Sequence, residues 1–256
     1  GLGIALSDIN NDEFTDIYIS NDYNEQDYLY LNNGDGTFTE GLEDYIGHTS
    51  LYSMGSDIAD FNNDGFTDIM TLDMLPERNQ RIKMTSGPDN FEKLSHLPKN
   101  GFYNQTMRNM LQLNRGGEYF SEIGQFSGVS NTDWSWASLF TDLDNDGYKD
   151  LFNTYGTQSR GGMPKVFLSQ EGNKYVPWSK WSNANRYRPE LYNDSGIRAG
   201  DIADFDNDGD DDVILQCYNK YCFGDPNEQY FADRHGDYDF DPVAVDSSNG
   251  FILINN

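Results

Sequence analysis

The sequence has few cysteines, histidines and basic residues, and it has no long apolar run. Its two cysteines and three histidines form no Cys-x-x-Cys pair or Cys/His cluster, so nothing indicates a zinc site. The apolar run at residues 251–254 is far shorter than the ~20 residues that a transmembrane helix needs. The chain has 17 basic and 43 acidic residues, which gives a net charge of −26. Such a chain would repel nucleic-acid phosphates, which excludes a nucleic-acid partner.

The start of the chain and its two cysteines give expectations about export and an extracellular location. The sequence begins at Gly1 in the middle of a repeat and shows no signal peptide. We therefore expect a mature fragment or processed chain that has lost its export signal. The spacing of Cys217 and Cys222 suits a short disulfide across a hairpin, as in extracellular proteins, and equally suits two unpaired thiols.

A nine-residue pattern that is rich in aspartate occurs four times. It reads DINNDEFTD in loop 1 (residues 8–16), DFNNDGFTD in loop 2 (60–68), DLDNDGYKD in loop 3 (142–150) and DFDNDGDDD in loop 4 (204–212). Positions 1, 5 and 9 are always Asp, position 3 is Asn or Asp, and position 4 is always Asn. An internal repeat of this kind indicates one structural unit used several times.

The flanks of each loop predict strands. An alternating apolar stretch precedes each loop, a second follows it, and a third and a fourth come later around a Gly-containing turn, as in YLYLNNGDGTFTE from Tyr28. Such turns between alternating stretches are hairpin signals. We predict an all-β fold, a β-propeller of four-stranded antiparallel blades with an Asp-rich calcium loop between the first two strands of each.

The predicted domain is one propeller or propeller fragment over residues 1–256. Its blades cover about 1–48, 49–128, 129–190 and 191–242, with the last two strands of the fourth expected from Gln229 onward. Residues 243–256 then form a closing strand or the start of a further blade.

Hard oxygen ligands in a tight loop favour calcium over other metals. Side chains at positions 1, 3 and 5, the carbonyl at position 7 and the carboxylate at position 9 can surround one ion, and without His or Cys the donors suit calcium better than transition metals. We predict about four calcium ions. The predicted ligands are Asp8, Asn10, Asp12, Phe14, Asp16, Asp60, Asn62, Asp64, Phe66, Asp68, Asp142, Asp144, Asp146, Tyr148, Asp150, Asp204, Asp206, Asp208, Asp210 and Asp212.

The four loops are unequal. Loops 3 and 4 each offer carboxylates at positions 1, 3, 5 and 9, whereas loops 1 and 2 have the neutral amides Asn10 and Asn62 at position 3. Glu13 stands at position 6 of loop 1, where the other loops have Gly. A left-handed conformation costs a non-Gly residue free energy. We therefore predict that loop 1 is the weakest of the four metal sites.

The blade around loop 2 contains a basic insertion, residues 75–108. It holds Arg78, Arg81, Lys83, Lys93, Lys99 and Arg108. Residues 88 and 89 are predicted to start a short helix through Phe91, Leu94 and Leu97. The insertion is either a partner-binding surface or a packing flap whose basic groups offset nearby carboxylates.

The loop motif, and LNNGDGTF at residues 31–38, resemble the FG-GAP or VCBS repeat family. That family includes integrin α-subunit propellers, the cartilage acidic protein group and many bacterial surface proteins. The resemblance covers residues 1–242 and implies the propeller fold and calcium binding. Because the family usually has seven blades, four units imply a fragment of a larger propeller or a small ring.

The leading functional hypothesis is a non-enzymatic extracellular or cell-surface module for adhesion, for binding a protein or glycan, or for assembling a surface complex. In a bacterium it would be secreted or associated with the outer membrane. The partner would meet a propeller face or the insertion, and Trp134, Trp136, Trp178 and Trp181 are candidates for stacking on sugar rings, with Trp134 or Trp136 expected in the core.

Two alternatives come from other classes. One is a polysaccharide-active propeller enzyme, a lyase or glycosidase, for which Glu118, Glu122, Glu190 and His235 are loose candidates. The other is a structural subunit of a surface assembly or filament, completed by neighbouring chains. The triplets NQT at Asn104 and NDS at Asn193 match glycosylation sites.

Overall fold

The computed structural model describes residues 1–85, 91–157, 160–161, 165–178, 197–204, 209, 211–217, 240–246 and 250–255. The chain divides into two compact units, Gly1–Ser138 and Leu139–Asn256.

The first sheet of unit 1 follows the predicted four-strand meander. Its strands are β1 (Gly3–Ser7), β2 (Asp16–Ser20), β3 (Tyr28–Asn32) and β4 (Phe38–Glu40), antiparallel and in the order β1-β2-β3-β4. Loop 1 joins β1 to β2. A one-turn helix, α1 (Leu42–Tyr45), and a short strand, β5 (Thr49–Ser50), lead out of the sheet.

The second sheet repeats the first with an insertion in its middle. Its strands are β6 (Ser56–Ala59), β7 (Asp68–Thr71), β9 (Met110–Asn114) and β10 (Phe120–Glu122), in the order β6-β7-β9-β10 and all antiparallel. Loop 2 joins β6 to β7, and the one-turn helix α4 (Gly124–Ser127) follows β10.

The insertion between β7 and β9 is mainly helical. It contains α2 (Asn79–Thr85), α3 (Phe91–His96), a 3-10 turn (Pro98–Asn100) and β8 (Gln105–Thr106), which pairs in parallel with β5. The helix α3 includes Phe91 and Leu94, as predicted, but it ends before Leu97, where Pro98 begins the 3-10 turn. The predicted start at residues 88 and 89 lies outside the described residues. The helix α2 was not predicted from the sequence.

The third sheet contains β11 (Ser135–Thr141), β12 (Asp150–Thr157), β14 (Lys165–Gln170) and β15 (Lys174–Pro177). Their order is β11-β12-β14-β15, and the two-residue strand β13 (Arg160–Gly161) pairs with the end of β12. Loop 3 joins β11 to β12, so the loop keeps its place between the first two strands.

The fourth sheet takes its last strands from further along the chain than expected. Its strands are β16 (Ile197–Ala203), β17 (Asp212–Cys217), β18 (Phe240–Asp246) and β19 (Gly250–Asn255), in the order β16-β17-β19-β18. The tail after residue 243 therefore supplies β19, because its apolar run pairs with the apolar β17, with Val213 opposite Leu253. Pro242 lies in β18, an edge strand, where a missing N–H is tolerated.

The core of unit 1 lies between its two sheets. Side chains from loop 1, β2, β3 and the segment after β4 pack in one cluster with side chains of the second sheet. The buried members are Ile9, Tyr18, Leu29, Leu42, Ile46, Ile69 and Phe120. Alternation explains the pattern, since β2 buries Asp16, Tyr18 and Ser20 and leaves the residues between them half-buried.

The described chain is thus mostly β, with several antiparallel four-stranded sheets and few helices, as the sequence predicted. Among the described residues, every helix is too short or too polar to cross a membrane.

Candidate metal centre

The Asn at position 4 bends each described loop. Asn11, Asn63 and Asn145 have φ angles of 58°, 59° and 57°. This left-handed conformation is unfavourable for most residues but is tolerated by Asn. The constant Asn at position 4 is thus a sequence signal for this left-handed turn.

Position 6 makes a second left-handed turn. Gly65, Gly147 and Gly209 have φ angles of 90°, 90° and 102°, and Glu13 of loop 1 has a φ of 73°. The predicted left-handed conformation of Glu13 is therefore confirmed. Its effect on metal affinity stays a prediction.

The carboxylate at position 1 fixes the turn by accepting two backbone N–H groups. In loop 2, Asp60 Oδ1 accepts from Asp64 N at 3.0 Å and Oδ2 accepts from Gly65 N at 2.8 Å. The same pair of bonds holds loops 1 and 3, and Asp204 accepts from Gly209 N at 3.1 Å in loop 4. The backbone of each loop thus positions the carboxylate at position 1.

The side chains at positions 3 and 5 meet in front of this turn. In loop 2, Asn62 Nδ2 donates to Asp64 Oδ2 at 2.9 Å, and Asp64 Oδ1 accepts from Phe66 N at 2.9 Å. In loop 1, Asn10 Nδ2 donates to Asp12 Oδ2 at 2.8 Å. The neutral amide therefore relieves the charge of the carboxylate at position 5.

Loop 3 lacks this relief. Its three carboxylates at positions 1, 3 and 5 each offer an oxygen within 4.8 Å of the others: Asp142, Asp144 and Asp146. Burial, followed by the charges of Asp146 and Asp142, raises the pKa of Asp144. Three carboxylates around one point, at the surface, match the donor set of a hard cation such as calcium.

The Asp at position 9 does more than the sequence indicated. Asp150 Oδ2 accepts from Leu143 N, the second residue of its own loop, at 3.0 Å, and Oδ1 accepts from Ser169 N on β14 at 2.6 Å. Asp16 binds Ile9 N and Asn32 N in the same way. Position 9 therefore ties the loop to the third strand of its sheet, and ion binding would use the remaining lone pairs.

These position-9 carboxylates are buried away from water. Burial raises the pKa of Asp68 to about 7 and that of Asp150 to about 7, against the opposing effect of their backbone hydrogen bonds. Burial likewise raises the pKa of Asp16. An adjacent cation would favour the charged form of each group.

The predicted ligands of loop 4 are only partly described by the structure, as are several other predicted residues. Asp212 is buried at position 9 of loop 4, whereas Asp206, Asp208 and Asp210 lie outside the described residues. Both cysteine side chains also lie outside them, as do Trp181, Glu190, Asn193 and His235.

The structure does not place a tryptophan of β11 in the core. Trp134 is 37% exposed and Trp136 is half-buried, while Ser135 between them is buried. Trp134 therefore does not lie in the core, and Trp136 is only partly buried. Trp178 of unit 2 is half-buried.

Two of the basic groups in the insertion serve packing. Arg81 forms a two-bond ion pair with Asp133. Arg108 Nη2 donates to Glu122 Oε2 at 2.7 Å, and Glu122 Oε1 accepts from Gly124 N at 2.6 Å. These contacts favour the packing interpretation for Arg81 and Arg108 and give Glu122 a structural partner. Arg78, Lys83 and Lys99 are exposed, as is the candidate acid Glu118.

The family model described as FG-GAP-like repeat matches residues 8–71, a stretch that runs from loop 1 through β7. Residues 8–71 are therefore similar to an FG-GAP-like repeat. This confirms the resemblance to the family that the loop motif indicated.

Two curated relatives share sequence over most of the chain. Cartilage acidic protein 1 of Xenopus tropicalis is 26% identical over 228 residues, covering 84% of this chain and 28% of the relative. Cartilage acidic protein 1 of Homo sapiens is 24% identical over 228 residues with the same coverage. The chain thus spans a little over a quarter of the length of these relatives.

Proposed function

We propose that the chain is a calcium-binding, non-enzymatic module of an extracellular protein, with its four-stranded units arranged as blades of a β-propeller. The observation that carries the proposal is loop 3, where side chains at positions 1, 3 and 5 bring three carboxylate oxygens within 4.8 Å of one another. Loops 1 and 2 repeat the backbone turn and the hydrogen bonds around it.

The loop donors fit calcium better than the alternatives. Calcium accepts six to eight oxygen ligands in flexible geometry, whereas magnesium requires a compact octahedron and keeps its waters. A bound calcium would bring positive charge to a chain with a net charge of −26. It would join the first and second strands of each sheet through the loop, which stabilises the folded state by mass action.

The proposed extracellular location sets the calcium affinity that we expect of the loops. They lie at the surface, with Asp12, Asp64 and Asp146 exposed, and extracellular modules bind calcium with dissociation constants of about 10⁻⁴–10⁻³ M. A calorimetric titration of the chain should therefore give values in that range. Dissociation constants of about 10⁻⁷ M, typical of intracellular sensors, would contradict the proposed location.

A thermal melt tests the calcium proposal directly. The chain is melted in calcium, in magnesium and in chelator. We expect a large rise in melting temperature that is specific to calcium, and a smaller rise in the variant D142N. The matched control is D35N, which removes a carboxylate from the exposed β3–β4 turn and should leave the calcium effect unchanged. Equal melting in calcium and chelator would reject the proposal.

The partner is proposed to be a protein or a glycan. The exposed groups Arg78, Lys83 and Lys99 make the insertion a candidate contact surface for an acidic partner. A glycan array probed with and without chelator tests the glycan case. Binding that is lost in the triple variant R78A/K83A/K99A would place the contact on the insertion, and the absence of binding would direct attention to protein partners.

A further inference from the structure

The connection between β2 and β3 holds an exposed tyrosine in an unfavourable backbone conformation. Tyr23 has a φ of 66° and is 65% exposed. A left-handed conformation is uncommon for a bulky side chain, and an exposed ring gains little burial in return. Residues that are held in this way cluster at ligand-binding sites.

The internal repeat shows that the shared fold does not require this tyrosine. Loops 1 and 2 start 52 residues apart, so Asp22 and Tyr23 correspond to Met74 and Leu75 of the second unit. Two apolar residues therefore stand where the first unit has an acid and an aromatic ring. This difference indicates a role for Asp22 and Tyr23 that lies outside the repeated structure.

A buried side chain of the insertion holds this connection in place. Gln105 of β8 is 5% exposed. Its Nε2 donates to Tyr23 O and to Glu25 O, both at 3.1 Å, and to Ser50 O of β5 at 3.3 Å. The backbone that carries Tyr23 is therefore joined to the segment that begins at β5.

That segment places a second tyrosine beside the first. The buried Asp73 accepts with Oδ2 from Leu51 N and from Tyr52 N, both at 3.2 Å. The ring centroids of Tyr23 and Tyr52 lie 5.5 Å apart, and the ring planes meet at 88°. We call the space between these two perpendicular rings the aromatic corner. A compact group that enters it lies against both rings.

Negative charge adjoins the aromatic corner. Asp22 is half-buried, and its Oδ1 accepts from Tyr23 N at 2.8 Å. Within the part of the chain that the structure describes, Asp22 belongs to no ion pair. Burial raises the pKa of Tyr52, and the charges of Asp73, Tyr23 and Asp22 raise it further. The corner is therefore suited to a positively charged group.

The geometry distinguishes between kinds of cation. The face of a tyrosine ring attracts cations, and several rings around one point recognise quaternary ammonium groups. A planar guanidinium stacks on a single ring, and an unmethylated ammonium is strongly hydrated. Two perpendicular rings beside one carboxylate therefore favour a compact, methylated ammonium group.

We propose that the aromatic corner binds a methylated ammonium group, with Tyr23 and Tyr52 against its methyl groups and Asp22 as the counter-charge. Such a group occurs at the end of choline-type molecules and of methylated lysine side chains. The β2–β3 connection follows the opposite end of β2 from loop 1. The proposed site is thus separate from the metal loops and does not rest on calcium binding.

An NMR titration of the full chain tests the proposal, with the shifts of tyrosine ring signals as the readout. The first probe is choline, and its control is the neutral analogue with a tert-butyl group in place of trimethylammonium. We expect a dissociation constant on the order of 1 mM for choline, and binding of the neutral analogue that is weaker by about tenfold or more.

A second pair of probes identifies the source of the group. N-acetyl-trimethyllysine amide represents a methylated protein, and N-acetyl-arginine amide represents a guanidinium ligand. Tighter binding of trimethyllysine than of choline would assign the site to a protein partner. Tighter binding of choline would assign it to a small molecule or a lipid headgroup.

Substitutions locate the binding. Y23A should weaken choline binding about tenfold, and D22N should weaken it about threefold. Y23F keeps the aromatic face and should retain binding. The matched control is Y119A, which removes a tyrosine that is 51% exposed in the β9–β10 turn and should change nothing. If Y23A lowers the melting temperature, D22N and Y23F carry the test.

Three results would overturn the proposal. The first is equal binding of choline and its neutral analogue, and the second is unchanged choline binding in both Y23A and D22N. The third is tighter binding of the arginine probe than of either methylated probe, which would assign a guanidinium ligand. All three are independent of the calcium melt, so failure of the calcium proposal and failure of this one are distinguishable.

Discussion

Asp68 Oδ1 accepts a hydrogen bond from the backbone N–H of Asn114, which lies 46 residues further along the chain, at 2.8 Å. This bond spans the whole insertion. It connects the last residue of loop 2 to the third strand of the same sheet, as Asp16 of loop 1 does through Asn32 N. Loop and sheet are therefore one structural unit, and what binds in the loop acts on the strand pairing.

Loop 3 is expected to depend on calcium more than loops 1 and 2. In the variant D144N, the amide can donate to Asp146 as Asn10 and Asn62 donate to their neighbours. We predict a higher melting temperature in chelator than for the unchanged chain, and a smaller rise on adding calcium. The reverse substitution, N62D, should lower the melting temperature in chelator. Differential scanning calorimetry measures both, and a lower melting temperature for D144N in chelator would contradict the charge argument.

Replacing Glu13 with Gly should raise both the stability of the chain and the calcium affinity of loop 1. Glu13 holds a φ of 73°, and a left-handed conformation costs a non-Gly residue about 1 kcal/mol. E13G should therefore raise the free energy of unfolding by a fraction of that amount, because Gly also loses more entropy on folding, and it should tighten calcium binding at this loop. The matched change G65E in loop 2 should weaken binding. Urea unfolding and calcium titration check both variants.

The sequence could predict the loops because each is a local structure. Position 6 required a left-handed residue, and Glu13 adopted that conformation as expected. The fourth sheet was harder, since the strand beside β17 is chosen by long-range pairing of apolar runs, with Leu215 opposite Phe251. No local sequence signal distinguishes β19 from the earlier stretch, from Gln229 onward, that was expected to pair with β17.

The second role of position 9 was also beyond local reasoning. Asp150 and Ser169 meet only after the third strand has paired. A repeated signal did exist, because the third strands of the first two sheets both end in Leu-Asn, at Asn32 and Asn114. This signal could be interpreted only once the structure showed that the backbone N–H groups of Asn32 and Asn114 donate to Asp16 and Asp68.

Asn114 should matter more than its equivalent Asn32. Asn114 is buried and its amide bonds to both Ile9 O and Thr67 O. N114A should lower the free energy of unfolding by about 1–3 kcal/mol, because it removes buried hydrogen bonds and leaves their acceptors unpaired. N32A should cost less, since Asn32 is only half-buried and bonds to Thr15 O. Urea unfolding of both variants checks this order, and equal costs would contradict it.

The buried carboxylate of Asp27 predicts a pH effect that is independent of the loops. Asp27 accepts from the Tyr18 hydroxyl at 2.6 Å, from Ser53 Oγ at 3.1 Å and from Asn21 N at 2.8 Å. Burial raises the pKa of Asp27 to about 6, with a smaller contribution from the charge of Asp73. The folded chain therefore holds this proton more tightly than the unfolded chain, whose Asp has a pKa near 3.8.

The sign of the effect follows from this order of pKa values. The contribution of Asp27 to the free energy of unfolding is fully present below pH ~4 and is lost as the pH rises through about 6. It amounts to roughly 3 kcal/mol. The variant D27N has no titrating group at this position. As the pH rises between these two values, the free energy of unfolding of the unchanged chain should therefore fall relative to that of D27N. Urea unfolding at several pH values checks the difference, and parallel pH profiles would contradict it.

The number of calcium ions bound per chain tests the central claim most directly. Equilibrium dialysis followed by atomic emission should give about four ions at calcium concentrations well above the dissociation constants found by calorimetry. The triple variant D142N/D144N/D146N should bind one ion fewer, while D35N should bind the same number as the unchanged chain. A chain that stays folded and binds no calcium at these concentrations would contradict the account.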